Sequence, residues 1–447
     1  MTLEQKIGQL NLLPMKGDVV TGPDVSADIA QLLKDDQLGA VMNLNDPDKV
    51  YTLQKFAVEE SGTHIPLLIG FDVVHGYKTI FPVPVGLSCS WDPALAEKTA
   101  RISAMEATSC GCAWTYAPMV DIAHDARWGR IAEGSGEDPY LGSAFARAYV
   151  KGFQGDLSGK GDQMLSCVKH YALYGASDGG LDYTAVDMSR SRMFNYYMAP
   201  YQAAVEEGVA SVMTCFNEVE GVPGAANEFL LQDILRGKWG FDGFVVSDYD
   251  GVKELCKHGL GTPEEVTVRS FNAGNDMDMC SLYFVEYIAG AVKEGKIKEQ
   301  TVNDACRRIL EAKYKLGLFE DPYRFCRTQE SRQILDSKEF HTAAREIATE
   351  SMVLLKNDNQ LLPLKRSTRI ALVGPYGKET KNIIGTWYAL GSSGRHVSFY
   401  EGLLHNGAIV EWAQGSNICF DPALQELWSN RLPIPQDSRS SDEMIKE

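Results

Sequence analysis

Between roughly residues 30 and 320, short apolar runs alternate with longer stretches in which apolar positions recur every three or four residues. Runs of the first kind suit buried strands and stretches of the second kind suit amphipathic helices. Their alternation predicts parallel strands joined by helices. The apolar runs end on polar residues. Pro66-Leu67-Leu68-Ile69-Gly70 leads into Phe71-Asp72, and Met164 to Val168 leads into Lys169-His170. Ala210 to Thr214 leads into Cys215-Phe216-Asn217, and Gly243-Phe244-Val245-Val246 leads into Ser247-Asp248. In an α/β barrel the loops at the C-terminal ends of the strands converge on one mouth, so these polar residues are the site candidates.

An amphipathic helix marked by Val302, Cys306, Ile309, Leu310 and Leu316, and stopped by Gly317, closes this pattern. The expected organisation is a barrel domain over 1–320, a polar linker over 321–340 and a second α/β domain over 341–447. That second domain opens with a helix from His341 to Lys356. Arg369-Ile370-Ala371-Leu372-Val373 and Ala408-Ile409-Val410-Glu411-Trp412 then read as buried strands. Gly374, Gly377 and Gly385 follow the first strand without a GxGxxG or P-loop lysine pattern, which suits an ordinary turn.

Length and composition agree with two domains: 447 residues, 44% hydrophobic and 23% charged. No apolar run reaches the roughly 18 residues that a membrane helix needs, so no membrane partner is expected. A formal charge of -17 would repel a phosphate backbone, which argues against nucleic acid. Neither the ten cysteines nor the eight histidines show the spacing of a metal site, and no metal is expected. The chain opens on a capping box, Thr2-Leu3-Glu4-Gln5, with no basic-then-apolar signal segment before it. It closes on a second helix-start signature, Ser440-Ser441-Asp442-Glu443, with only Met444 to Glu447 after it. So short a helix is marginal, and the expectation is that the parent product continues or has lost its tail.

At a strand end, a carboxylate such as Asp248 is held rigidly and aimed at the mouth, which suits attack on an anomeric carbon or equally the capping of the next helix. Lys169 and His170 offer adjacent groups for the vicinal hydroxyls of a sugar. A barrel lysine could instead form a Schiff base, if its amine were desolvated or placed beside another cation. Asp72 could accept from sugar hydroxyls or cap a turn. Arg127-Trp128-Gly129-Arg130 and the carboxylates Glu133, Glu137 and Asp138 suggest ion pairs that shape a loop, with one guanidinium fork left for substrate.

In this order, Gly70-Phe71-Asp72-Val73-Val74-His75-Gly76, Arg127-Trp128-Gly129-Arg130, Ser135-Gly136-Glu137-Asp138-Pro139, Val168-Lys169-His170-Tyr171, Met213-Thr214-Cys215-Phe216-Asn217 and Val246-Ser247-Asp248-Tyr249 closely resemble glycoside hydrolase family 3, in particular its periplasmic β-glucosidase branch. The resemblance implies a (β/α)8 TIM-barrel-like domain followed by the first part of an α/β sandwich. It implies no cofactor, and it implies a small oligosaccharide or glucoside substrate cleaved at non-reducing-end β-linked glucosyl residues with retention. It gives Asp248 the role of nucleophile. Asp72, Arg127, Lys169 and His170 match residues that hold the sugar hydroxyls, Met213 matches an apolar wall, and Tyr249 borders the leaving-group side. Arg130, Glu133, Glu137 and Asp138 match the charged loop and read as structural.

Two departures stand out. Leu181 occupies a position where the family often has arginine, and the branch's acid/base, a glutamate on the second domain, falls beyond Glu447. A related branch uses an Asp-His pair in a Lys-His-Phe-Pro-Gly-His-Gly loop; here the matching stretch is Lys169-His170-Tyr171-Ala172-Leu173-Tyr174-Gly175, without the second histidine. The readings left standing are an exo-acting retaining β-glucosidase, a β-xylosidase of the same family, and a sugar-binding fragment without turnover. Similar full-length proteins are periplasmic. Compartment and oligomeric state stay open.

Overall fold

The structure, a computed structural model, describes residues 1–15, 28–157, 161–335, 337–380, 382–391, 396–429 and 437–446. Residue 336 of the expected linker and the terminal Glu447 lie outside the described residues. Two compact units divide the chain, Met1–Met352 and Val353–Glu447.

Eight parallel strands organise the first unit. β1 (Asn11–Pro14), β2 (Ala40–Met42), β3 (Leu68–Phe71) and β4 (Trp114–Thr115) pair in sequence. β5 (Cys167–Tyr171), β6 (Ser211–Thr214) and β7 (Phe244–Val246) do the same. β8 (Asp278–Met279) then pairs with β1, Asn11 opposite Asp278. Single parallel bridges, Trp114 to Leu165 and Val246 to Met277, join the two groups on both sides and close the ring. The (β/α)8 barrel implied by the family resemblance, and the parallel strands joined by helices predicted from the alternating pattern, are therefore present.

Side chains fill its interior, as the shape of a small barrel requires. Trp114 spans the core, packing edge-on against Tyr116 and Phe244 with centroids 4.8 and 5.1 Å away. Its indole N–H donates to Ser211 Oγ at 2.8 Å, so the one polar group of a fully buried ring is satisfied. The outer helices form where their caps predict. Asp92 and Asp138 accept from Ala94 N and Leu141 N, with proline at the first helical position of Pro93–Ser109 and Pro139–Gln154. The Thr2 capping box and the Val302, Cys306 and Ile309 face of helix Glu299–Lys315 are formed as expected.

Strand β7 is tied down by a buried charge. Asp276 accepts from Arg236 at 2.6 Å, Arg308 at 2.7 Å and the Val245 backbone N–H at 2.8 Å. Two guanidinium groups and a strand amide thus converge on one carboxylate just below the residues that lead to Asp248.

The boundary between units differs from the periodic reading. Helix Lys338–Glu350 packs within the first unit, burying Phe340, Ala343 and Ile347 and approaching Lys98 of helix Pro93–Ser109 through Glu346 at 3.6 Å. Its amphipathic pattern announces a helix but not the body that receives its apolar face. In the second unit, β9 (Arg369–Val373) and β10 (Ile409–Ala413) pair in parallel along their whole length. They are not buried strands: every residue of β9 and β10 is half-buried or exposed. Burial comes from stacked layers, and the described residues set little more than the short helix Phe399–His405 against β10. The terminal signature does form a helix, Ser441–Lys446, capped by Ser440 through Glu443.

On the underside of the barrel Lys313 is fully buried and donates to Gln9 Oε1 at 2.7 Å. Burial pulls its amine down from 10.5 to about 7. Above about pH 7 the folded protein holds this lysine neutral while the unfolded chain stays protonated up to 10.5, so stability rises with pH across that window. Urea midpoints should rise from pH 7 to 9 by a margin worth a few kcal/mol, and Lys313→Met should flatten that slope. Asp276→Ala leaves two arginines facing a buried gap, and equilibrium unfolding should show a loss of about 3–5 kcal/mol.

Candidate active site

The polar residues that follow the strands meet at the C-terminal mouth. Lys169 and His170 are successive residues of β5, yet both are buried and both reach polar partners in the mouth. A regular strand would send them to opposite faces. The β5/β6 register shifts between Val168 and Tyr171, and an irregularity of this kind re-aims side chains. Lys169 Nζ donates to Asp72 Oδ1 at 2.9 Å, which ties the amine to a carboxylate rather than leaving it free to attack a carbonyl.

His170 sits between two carboxyl groups. Its Nδ1 lies 2.9 Å from Asp121 Oδ2, and its Nε2 lies 3.6 Å from Asp248 Oδ2. Burial, reinforced by the positive charges of Arg130 and Lys169, holds the imidazole well below its ordinary range, so the ring is neutral. Asp121 also takes the His170 backbone N–H at 2.8 Å, the Tyr174 N–H at 3.2 Å and the Tyr201 hydroxyl. Burial lifts its carboxyl to about 7 against the pull of the Tyr201 and His170 donors and the Arg130 charge.

Asp248 lies two residues past β7, its side chain 13% exposed. The Tyr249 backbone N–H donates to Oδ1 at 2.7 Å, while Oδ2 is buried and has no hydrogen-bond partner among the described residues. Burial raises the carboxyl from 3.8 to about 6, with Arg130, the Tyr249 N–H and Lys169 pulling it down and Asp72 pushing it up. One oxygen is thus anchored by a backbone N–H and the other is left without a hydrogen bond among the described residues, a state that suits a nucleophile. Met213, 3% exposed on β6, is opposite Val246 of β7 and supplies an apolar neighbour. Tyr249 is half-buried and packs against the barrel core.

Arg127 stands apart from this cluster. Its side chain is 74% exposed and forks Asp125, with Nη2 to Oδ2 at 2.6 Å and Nε to Oδ1 at 2.9 Å. A carboxylate two residues earlier in the same loop captures the guanidinium before the mouth can. The arginine that does turn inward is Arg130, expected to be structural. Glu133 holds it bidentately at 2.7 and 3.1 Å and keeps it charged against its burial, and its positive charge reaches Asp248. Asp138 is a helix cap, Glu137 is an exposed neighbour of His124 at 3.5 Å, and Leu181 is exposed.

Two contributors were not singled out from the sequence. Asp121 ends the run Pro118-Met119-Val120 and so carries the same strand-end signal as the others. Tyr201, inside helix Ala199–Glu206, carries none. Among the described residues no group of three or more His, Cys, Asp or Glu side chains is placed to hold a metal ion, and no described helix is long and apolar enough to cross a membrane.

Comparison with known proteins bears on this geometry. Residues 2–312 match the model of the glycosyl hydrolase family 3 N terminal domain, and residues 352–437 that of the family's C-terminal domain. The chain is 39% identical to the periplasmic beta-glucosidase of Salmonella typhimurium, an alignment that takes in 100% of this chain and 59% of that protein. It is 36% identical to a beta-xylosidase of Formosa agariphila over 74% of this chain and 47% of the relative. The crystal structure of a beta-glucosidase from Listeria innocua in complex with isofagomine superposes with a TM-score of 0.89 at 36% identity, covering 96% of this chain and 61% of that one. The chain therefore spans about three fifths of the length of its β-glucosidase relatives. With both domain models matched in order along its length, the chain belongs to glycosyl hydrolase family 3.

Proposed function

We propose that this chain carries the sugar-binding and nucleophilic half of an exo-acting, retaining β-glucosidase. The observation that carries the reading is Asp248: a carboxylate just past a barrel strand, with one oxygen pinned by a backbone N–H and the other buried and unbonded among the described residues. Around it, Asp72, Lys169 and His170 offer an acceptor, a donor and a neutral ring to the hydroxyls of a terminal glucosyl residue, and Met213 and Tyr249 line the apolar and leaving-group sides. Arg127 would join them only by releasing Asp125. The similar proteins whose names specify β-glucosidase activity support glucose over other sugars. The β-xylosidase relatives support xylosides as the second reading.

In a retaining mechanism Asp248 attacks the anomeric carbon while a second carboxyl, about 5–5.5 Å away, protonates the leaving oxygen and later activates water. Asp72, Asp121 and Glu133 are committed to Lys169, to His170 and Tyr201, and to Arg130 respectively, which suits them to holding the sugar and the loop. A proton donor from outside these residues fits that commitment. General acid assistance is worth roughly 10²- to 10⁴-fold, so this chain alone should form a glycosyl-enzyme from activated aryl glucosides far faster than from alkyl glucosides.

Incubation with a 2-deoxy-2-fluoro-β-glucoside bearing a good leaving group should label Asp248 covalently, as read by peptide mass, and Asp248→Asn should abolish labelling. Folded protein that takes no label would overturn the proposal. Because attack needs the ionised carboxylate and burial lifts Asp248 to about 6, the rate of labelling should rise with pH, with its midpoint near that value.

A further inference from the structure

Asp121 has no part in the reaction proposed above beyond its bonds to His170 and Tyr201, yet it is held by several buried partners at once. Its Oδ2 accepts the His170 backbone N–H at 2.8 Å and faces His170 Nδ1 at 2.9 Å. Its Oδ1 faces the Tyr174 N–H at 3.2 Å and the Tyr201 hydroxyl, which also lies 2.6 Å from the His170 carbonyl oxygen. All of these groups are buried. An ionised carboxylate only accepts, so the His170 nitrogen that faces it must be the one that carries the proton.

The other ring nitrogen is then a bare lone pair. His170 Nε2 lies 3.6 Å from Asp248 Oδ2, beyond hydrogen-bond length, and Asp248 Oδ2 has no partner among the described residues. In the opposite tautomer Nε2–H would point a donor at that oxygen, drawing off the electron density that attack requires and filling the acceptor a sugar hydroxyl needs. We infer that Asp121 is a positioning residue that fixes His170 as its Nδ1–H tautomer, so that Nε2 accepts a hydrogen bond from a glycone hydroxyl and the attacking oxygen of Asp248 is left unbonded. The inference rests on the proposed glycosidase reading for its catalytic consequence, but not for the tautomer itself.

The decisive measurement uses the full chain labelled with ¹⁵N-histidine at about pH 8, above the value near 7 to which Asp121 is lifted. His170→Gln identifies the His170 signals by their loss. Wild type should show a protonated Nδ1 and a bare Nε2. A proton on Nε2 in wild type would overturn the inference without any variant. Asp121→Ala, which removes both acceptors, should release the proton to Nε2. If that variant does not fold, Asp121→Leu, which keeps most of the volume and offers no acceptor to Nδ1, is read in the same way. An unchanged tautomer in a folded variant would also overturn the inference.

A second arm reads function with a series of monodeoxy aryl glucosides. Wild type should lose roughly 10- to 100-fold in labelling rate when the one hydroxyl bonded to His170 is removed, whereas the Asp121 variant, already slower by a similar factor, should lose little more. Equal sensitivity to every deoxy position in both proteins would overturn the role while leaving the tautomer standing. Absence of labelling in wild type, with the tautomer as expected, would instead sink the glycosidase reading alone.

Discussion

Charge that has been stripped of water must find a partner or be given up, and the mouth of this barrel is arranged around that rule. Lys169 has Asp72, Arg130 has Glu133, and His170 resolves the problem by staying neutral between Asp121 and Asp248. The same rule operates lower in the barrel, where Asp276 collects two arginines and a strand amide. Each pairing removes a degree of freedom from the loop that carries it. What remains, beside His170, is a carboxylate oxygen, Asp248 Oδ2, that has no hydrogen-bond partner among the described residues.

The barrel was legible in the sequence because its signal is local. A strand buried on both faces is a short apolar run, a helix shows its period, and a polar residue just past a run is at the mouth whatever the details. That logic reached Asp72, Lys169, His170 and Asp248 one at a time, while Met213, inside its run, came only from the family resemblance. Partners were less legible, since they depend on distant stretches arriving at the same place. Asp121 meets His170 from 49 residues away and Tyr201 from 80. In the charged loop the residue types promised ion pairs, but which arginine turns inward is set by where the carboxylates stand once folded. Asp125 takes Arg127 to the surface and Glu133 takes Arg130 below it.

Burial in the second unit shows the same limit from the other side. The runs at Arg369 and Ile409 are strands, paired in the expected parallel sense, and their apolar content reads as core. Alternation identifies an extended conformation, while coverage belongs to whatever stacks upon it. Met352, Val353, Leu354 and Leu355, together with Val373 and Ile409, remain substantially exposed. Exposed apolar side chains of this kind set a practical requirement for handling the protein at high concentration.

Closure of the ring between β1 and β8 makes the first strand wait for the last. Residue 11 is translated long before its neighbour at 278, and Gln9 meets Lys313 later still. At about 5–20 residues per second the interval runs from on the order of ten seconds to a minute, during which one side of β1 has no strand to bond. A nascent chain of this design carries an open strand edge for that long, a stretch in which pairing with a neighbouring chain competes with closure of its own barrel.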